Sequence, residues 1–222
     1  MAKRIPPEEY RKSLKDKILI VAKEMFRNSG FKLVKMDNIS QALGISKRTL
    51  YEIYPNKEEI IMETVRMDLE ETHKAFEKLE EEKADTMDIL TKVFSLHIQE
   101  TKNMNPVIFE DLQAYPKILN FLREHRESNE EKSKQFFMRG QKEGYFLKDV
   151  NLDLIHILLV SHFDVIMQKE LFRVYSPTEI MYVSILLGMR GLCTMKGIER
   201  LDEILGELLS RKSDYNGDIS EE

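Results

Sequence analysis

The chain is poor in the residues that cross-link, punctuate or anchor a protein. It has no tryptophan, and Cys193 is its one cysteine, so no intrachain disulfide can form and a reducing cytoplasm suits it best. Nine glycines and six prolines in 222 residues allow few tight turns, which favours long regular elements and mostly helix. The most apolar stretch, residues 152–167, is interrupted by Asp153, His156, His162 and Asp164 and is too short to span a bilayer. The basic residues at the start run straight into Pro6, Pro7, Glu8 and Glu9, which does not read as a secretory signal. Catalytic motifs are missing as well: no glycine-rich phosphate loop, nucleophile elbow or paired zinc motif. Glu70-x-x-His73 is one Glu-x-x-His where a di-iron bundle needs two and further Glu partners. These absences argue against an enzyme, a metal site, a cofactor and a membrane protein.

What is present is a folded composition, 42% hydrophobic and 33% charged. The net charge of −5 gives no support to a nucleic-acid partner, but its distribution does. Residues 1–57 hold 13 Lys+Arg against 6 Asp+Glu, and the remainder holds 21 against 33. A basic head on an acidic body suits a molecule that meets a polyanion at one end.

Periodicity predicts an all-α fold. Leu14, Ile18, Val21, Ala22, Met25 and Phe26 form one stripe of a helix over about 13–28, stopped by Gly30. Two short helices follow, at about 36–43 and 47–53, closed by Pro55. Asn56 and Glu59 form a capping-box pattern for a long helix that fades into the charged run 77–83. Further helices are expected over about 86–103, after Pro106, over 116–143, over 152–174, from Ser176-Pro177 to about 195, and beyond Gly197. The polar tail from Lys212 is expected to be loose.

The segment from Lys35 to Lys57 carries the chemistry. A helix-turn-helix needs a small residue where its helices cross, met by Ser40, and a turn residue tolerant of a left-handed backbone, met by Gly44. It needs apolar pins, met by Ile39, Leu43, Ile45, Leu50 and Ile53. Ser46 is the expected N-cap of the second helix, whose free face offers Lys47, Arg48, Thr49 and Tyr51. Arg48 suits a guanine edge and Thr49 a thymine methyl, while Lys47, Tyr51 and Lys57 suit phosphates. Tyr51 could instead serve packing, and the same hairpin could bind a protein rather than DNA.

Helix 1 and the run ISQALGISKRTLYEIYPNKEEII resemble the N-terminal domain of the TetR family of transcriptional regulators. The residues that carry the likeness are Gly30-Phe31, Ile39-Ser40, Gly44-Ile45-Ser46, Leu50-Tyr51-Glu52-Ile53-Tyr54 and Lys57-Glu58, across about residues 13–65. The resemblance implies a DNA-binding domain at 1–60 and an effector-binding and dimerisation domain at 61–222. It implies a homodimer on a near-palindromic double-stranded operator, acting as a repressor and answering to a small molecule not yet identified. By the same likeness Lys47, Arg48, Thr49 and Tyr51 face DNA and Lys57 holds a phosphate. The family's usual threonine at the start of helix 2 is replaced by Val34-Lys35, so Lys35 would reach the phosphate and the cap would be lost or pass to Asp37. Tyr54 stands for the usual Phe, and its hydroxyl needs a partner. Lys3, Arg4, Arg11 and Lys12 could form a backbone-touching arm or a solubilising tail.

By the resemblance, the helices near 152–174 and 177–195 pair with a second subunit, with Gly188 and Gly191 allowing close approach; burial within one chain is the alternative. Candidate linings for an apolar or aromatic effector are Phe94, His97, Ile98, Phe109, Tyr115, Phe121, Phe137, Met138 and His162, each of which could equally be ordinary core.

Overall fold

A computed structural model describes residues 8–102 and 104–210. Lys3 and Arg4 and the tail from Lys212 lie outside the described residues. Eleven α-helices are found among those described: α1 (Glu8–Leu33), α2 (Met36–Ala42), α3 (Lys47–Ile53), α4 (Lys57–Glu81), α5 (Thr86–Lys102), α6 (Val107–Leu112), α7 (Pro116–Glu127), α8 (Glu130–Glu143), α9 (Leu152–Gln168), α10 (Pro177–Met189) and α11 (Met195–Ser210). The fold is all-α, and no helix among the described residues is long and apolar enough to cross a membrane. The one β-type contact among the described residues is an isolated antiparallel bridge between Phe146 and Cys193.

Packing groups the chain into two compact units, one of residues 1–71 with 103–120 and one of residues 72–102 with 121–222. A division at residue 60 therefore falls within α4, inside the first unit. That unit is built on α1, whose Leu14, Ile18, Leu19, Ala22 and Phe26 are buried on one stripe. Gly30, at φ +77°, breaks the helix rather than ending it. The chain then turns so that Phe31 meets Phe26 edge-on at 5.2 Å, with Tyr115 edge-on to Phe31 at 6.0 Å. Ile39 from α2, Leu50 from α3 and Ile60 and Ile61 from α4 are fully buried and complete this core.

The second unit closes around Met87, Leu90, Ile98, Phe137, Phe146, Ile155, Ile185, Met189, Leu201, Ile204 and Leu205. Cys193 belongs to this core, and burial pushes its thiol up to about 11. Three helix boundaries differ from expectation. The expected helix over 116–143 is two, because Ser128 Oγ and Asn129 Nδ2 donate to the His125 carbonyl at 2.9 and 2.8 Å and end α7. α9 stops at Gln168, where Glu170 takes φ +51° and a 3₁₀ turn covers Leu171–Arg173. α10 stops at Met189 because the following backbone pairs elsewhere: Leu147 N–H donates to Leu192 O and Thr194 N–H to Tyr145 O, both at 2.9 Å.

Candidate nucleic-acid interface

The two short helices are held by their own termini. Ser40 is buried, as a helix crossing requires, and its Oγ donates to Asp37 O at 3.0 Å. Gly44 takes φ +63° and Ile45 N–H returns to Ser40 O at 3.0 Å, which makes the turn between α2 and α3. Ser46 caps α3 by accepting the Thr49 N–H at 3.1 Å. At the start of α2 the N-cap residue makes no side-chain cap bond, the first of the two outcomes expected. Lys35 occupies the N-cap position, and Asn38, not Asp37, supplies the side chain, its Oδ1 accepting the Lys35 N–H at 2.8 Å. At α4, Asn56 Oδ1 accepts the Glu59 N–H at 3.0 Å, as its sequence pattern implies.

With Leu50 at the core, the opposite face of α3 turns outward. Arg48 is 72% exposed in its side chain and Tyr51 is 48% exposed. Lys47 and Lys35 are exposed, and Thr49 is half-buried with its hydroxyl 2.8 Å from Ser46 Oγ. The cationic heads do not hang free. Arg48 Nε donates to Glu52 Oε1 at 3.1 Å one turn on, and Lys47 pairs with Asp37 across the turn. Such exposed pairs contribute about 0–1 kcal/mol each, so an incoming phosphate or base edge can displace them at little cost.

Lys57 is set differently. Its Nζ donates to Phe31 O at 2.7 Å and Val34 O at 3.0 Å, tying α4 to the segment that leads into α2. Burial lowers its pKa, opposed by the charge of Asp111. Two of the three ammonium donors are thus used inside the protein and one is left for an outside acceptor. Arg11 also turns inward: its Nη2 donates to Glu52 O at 2.9 Å, bracing the end of α3. Tyr54 is buried, and burial followed by Glu63, Asp16 and Glu59 pushes its phenol up to about 12. Its hydroxyl meets no protein partner among the described residues.

Sequence reading gave no role to Asp111. Its carboxylate is 2% exposed, accepts the Lys32 N–H at 2.8 Å and lies 3.4 Å from Lys32 Nζ. It satisfies the backbone exposed by the break at Gly30, from 79 residues away in sequence. No local pattern around Asp111 signals that role.

The expected effector linings are distributed over both units. Phe109 and Tyr115 belong to the first unit, where Tyr115 packs on Phe31. In the second unit Ile98 and Phe137 are core, Phe94 packs against that core, and Phe121 lies tilted 6.3 Å from His125. His97 is at the surface beside Glu100, and Met138 is exposed. His162 is half-buried, its Nε2 2.5 Å from Ser184 Oγ, which itself donates to Ile180 O. Gly188 admits a close approach, a Cβ there falling 2.9 Å from Leu159 Cδ2, whereas Gly191 faces nothing within 4 Å.

Residues 18–64 match the family described as bacterial regulatory proteins, tetR family. The chain is 23% identical over 150 residues to the HTH-type transcriptional repressor KstR2 of Mycolicibacterium smegmatis, covering 65% of this chain and 73% of that protein. Its fold is similar to that of the TetR family protein CprB from S. coelicolor A3(2), with a TM-score of 0.62 at 15% identity over 90% of this chain and 98% of the other. A regulator from Saccharomonospora viridis, described as putative and solved in complex with choline, matches with a TM-score of 0.58 at 19% identity, over 82% and 99%. A capped, outward-facing second helix on a three-helix head, joined to this match over residues 18–64, identifies the head as a DNA-binding helix-turn-helix domain of the tetR family of bacterial regulatory proteins, and the likeness to the solved structures shows the fold of the chain.

Proposed function

We propose that the protein is a ligand-responsive repressor that binds a near-palindromic operator as a homodimer in the cytoplasm. The observation that carries the reading is the exposed face of α3, held on a buried Leu50 and capped by Ser46. In this reading the head is residues 1–60 and the remainder binds effector and partner. Arg48 leaves Glu52 to reach guanine O6 and N7, and Thr49 meets a thymine methyl. Lys35, Ser46, Lys47 and Tyr51 hold phosphates, joined by the one open donor of Lys57.

What supports a second copy is an apolar stripe that nothing among the described residues covers. Leu154, Ile157, Leu158 and Val165 are exposed along one side of α9, at helical spacing, and Val183 and Leu187 are exposed on α10. A symmetric pairing through such a face sets two reading helices against the dyad of an operator. What supports an effector is likeness alone: a structural neighbour was solved with choline and another, RolR, with resorcinol.

Selection of bound sequences from a random DNA pool tests the reading. It should return a dyad with half-sites separated by about one or more duplex turns of roughly 34 Å. Affinity for the selected site should fall steeply with salt. A pool that yields no enriched sequence would overturn the operator reading.

A further inference from the structure

The second unit pairs its arginines with carboxylates, with one exception. Arg123 sits on Asp164 at 3.2 Å, Arg139 on Glu143 at 2.8 Å, Arg173 on Glu170 at 2.9 Å, Arg190 on Asp202 at 3.0 Å and Arg200 on Asp88 at 3.2 Å. Arg126 of α7, the remaining described arginine of that unit, has no carboxylate within ion-pair distance. Its guanidinium carbon lies over the Phe163 ring of α9, 3.6 Å from the centroid, and only Nη1 makes a hydrogen bond, to Leu122 O at 3.3 Å. Nε and Nη2 meet no acceptor among the described residues. The nearest acid that acts on it, Asp164, is already bound by Arg123 through Nε and Nη2.

Arg126 is also not isolated. His125 lies beside it in α7, held by Asn129 and accompanied by Lys132 of α8, whose Nζ is 3.5 Å from Nε2 of His73 in the C-terminal part of α4. His73 has Glu77 at 3.0 Å, but neither His125 nor Lys132 has a carboxylate partner among the described residues. Burial, then the charges of Arg126, His73 and Lys132, lower the His125 pKa and favour its neutral form. Burial likewise pulls Arg126 down to about 10. Two unpaired cations, the exposed Lys132 and the half-buried Arg126, flank the half-buried His125, on a part of the chain whose excess charge is negative. A partly desolvated guanidinium stacked on an aromatic ring, with Nε and Nη2 unused, has the donor pair that takes a planar carboxylate in two parallel hydrogen bonds.

We propose that Arg126 anchors an anionic effector, a small organic carboxylate held by the unused Nε and Nη2 donors of its guanidinium beside Phe163 of α9. The proposal rests on the ligand-responsive reading for its biological sense, but the binding site stands on geometry of its own. Lys132 adds positive potential at the approach, and Phe163 presents an apolar surface to the body of the ligand.

Benzoate, with benzyl alcohol as its uncharged counterpart, tests the site on the full chain by calorimetry. The wild type and the control Arg190→Gln should bind benzoate at least about tenfold more tightly than the alcohol. Arg126→Gln should lose that preference, and Arg126→Lys should keep the charge-dependent part of it. Equal binding of the two probes by the wild type, or an unchanged preference in Arg126→Gln, would overturn the site. If Arg126→Gln does not fold, phenylglyoxal labelling of the wild type decides: benzoate should protect Arg126 and the alcohol should not, and absent or unprotected labelling refutes the site. Release of operator DNA is measured in a separate arm. Benzoate bound through Arg126 with no effect on DNA would count against the ligand-responsive reading and leave the site standing; DNA release by a neutral compound, with no anion preference, would do the reverse.

Discussion

Replacing Asp111 by alanine tests whether the reading head depends on a side chain from α6. In the native protein the Asp111 carboxylate accepts the Lys32 N–H at 2.8 Å in a place that is almost wholly buried. Alanine leaves that N–H without a partner, and a hydrogen bond to a charged group is worth about 1.5–3 kcal/mol. The Lys32 ammonium, 3.4 Å away and more than half exposed, adds little once solvent screening is counted. The segment from Gly30 to Val34 should therefore open more easily by about 2 kcal/mol, which corresponds to roughly 30-fold faster amide exchange at Lys32. Asp111→Asn keeps an acceptor and should fall between, at a few-fold. Hydrogen exchange read by mass spectrometry over peptides spanning residues 28–36 measures the effect directly. Because that segment leads into the Lys35 cap of α2, operator affinity of the folded variant should fall with it. Unchanged exchange in Asp111→Ala would show that the carboxylate does not hold the break, and the reasoning would fail.

Other expectations follow from the same geometry. Gly30→Ala puts a Cβ 2.3 Å from Val107 Cγ1 at a backbone φ of +77° and should lower thermal stability sharply, by more than about 2 kcal/mol, whereas Gly44→Ala meets open space and carries only the left-handed strain of about 1 kcal/mol. Thermal melts of the two variants that coincide would refute that ordering. Arg48→Ala should flatten base preference at one position of the half-site, at about 1–3 kcal/mol, while Lys47→Ala should weaken all sequences alike and reduce the salt slope by about 1. Competition binding with single-base operator variants, repeated across salt concentrations, separates the two. Leu158→Asp with Leu187→Glu places charges on the uncovered faces of α9 and α10 and should convert a dimer to a folded monomer in light scattering. A double variant that stays dimeric would move the interface elsewhere.

Much of the head was legible without coordinates because its determinants are local. The Ser46 cap, the glycine turn at Gly44, the span of α3 and the Asn56–Glu59 pair each lie within four residues of what they control, and each is found where the sequence puts it. The break at Ser128-Asn129 was missed although its cause is also local. Helical periodicity runs through it, and side-chain competition for the His125 carbonyl leaves no mark in the hydrophobic pattern. The effector linings are illegible in the sequence for another reason. Aromatic and histidine positions at helical spacing are shared by core, surface and pocket alike, and only packing separates Phe137 from His97.

The amino-acid order alone determined that this is a helical chain with an outward reading helix near its start, since capping, turn chirality and amphipathic period act over one or two turns of backbone. Tertiary structure decided which charges are spent and which are left over. Lys57 is drawn onto the Phe31 and Val34 carbonyls, Asp111 closes a gap 79 residues away, and Arg126 alone among its unit's described arginines goes without an acid. Pairing of charges depends on separation in space and on the water removed around them, and neither quantity is written in the spacing of residues along the chain.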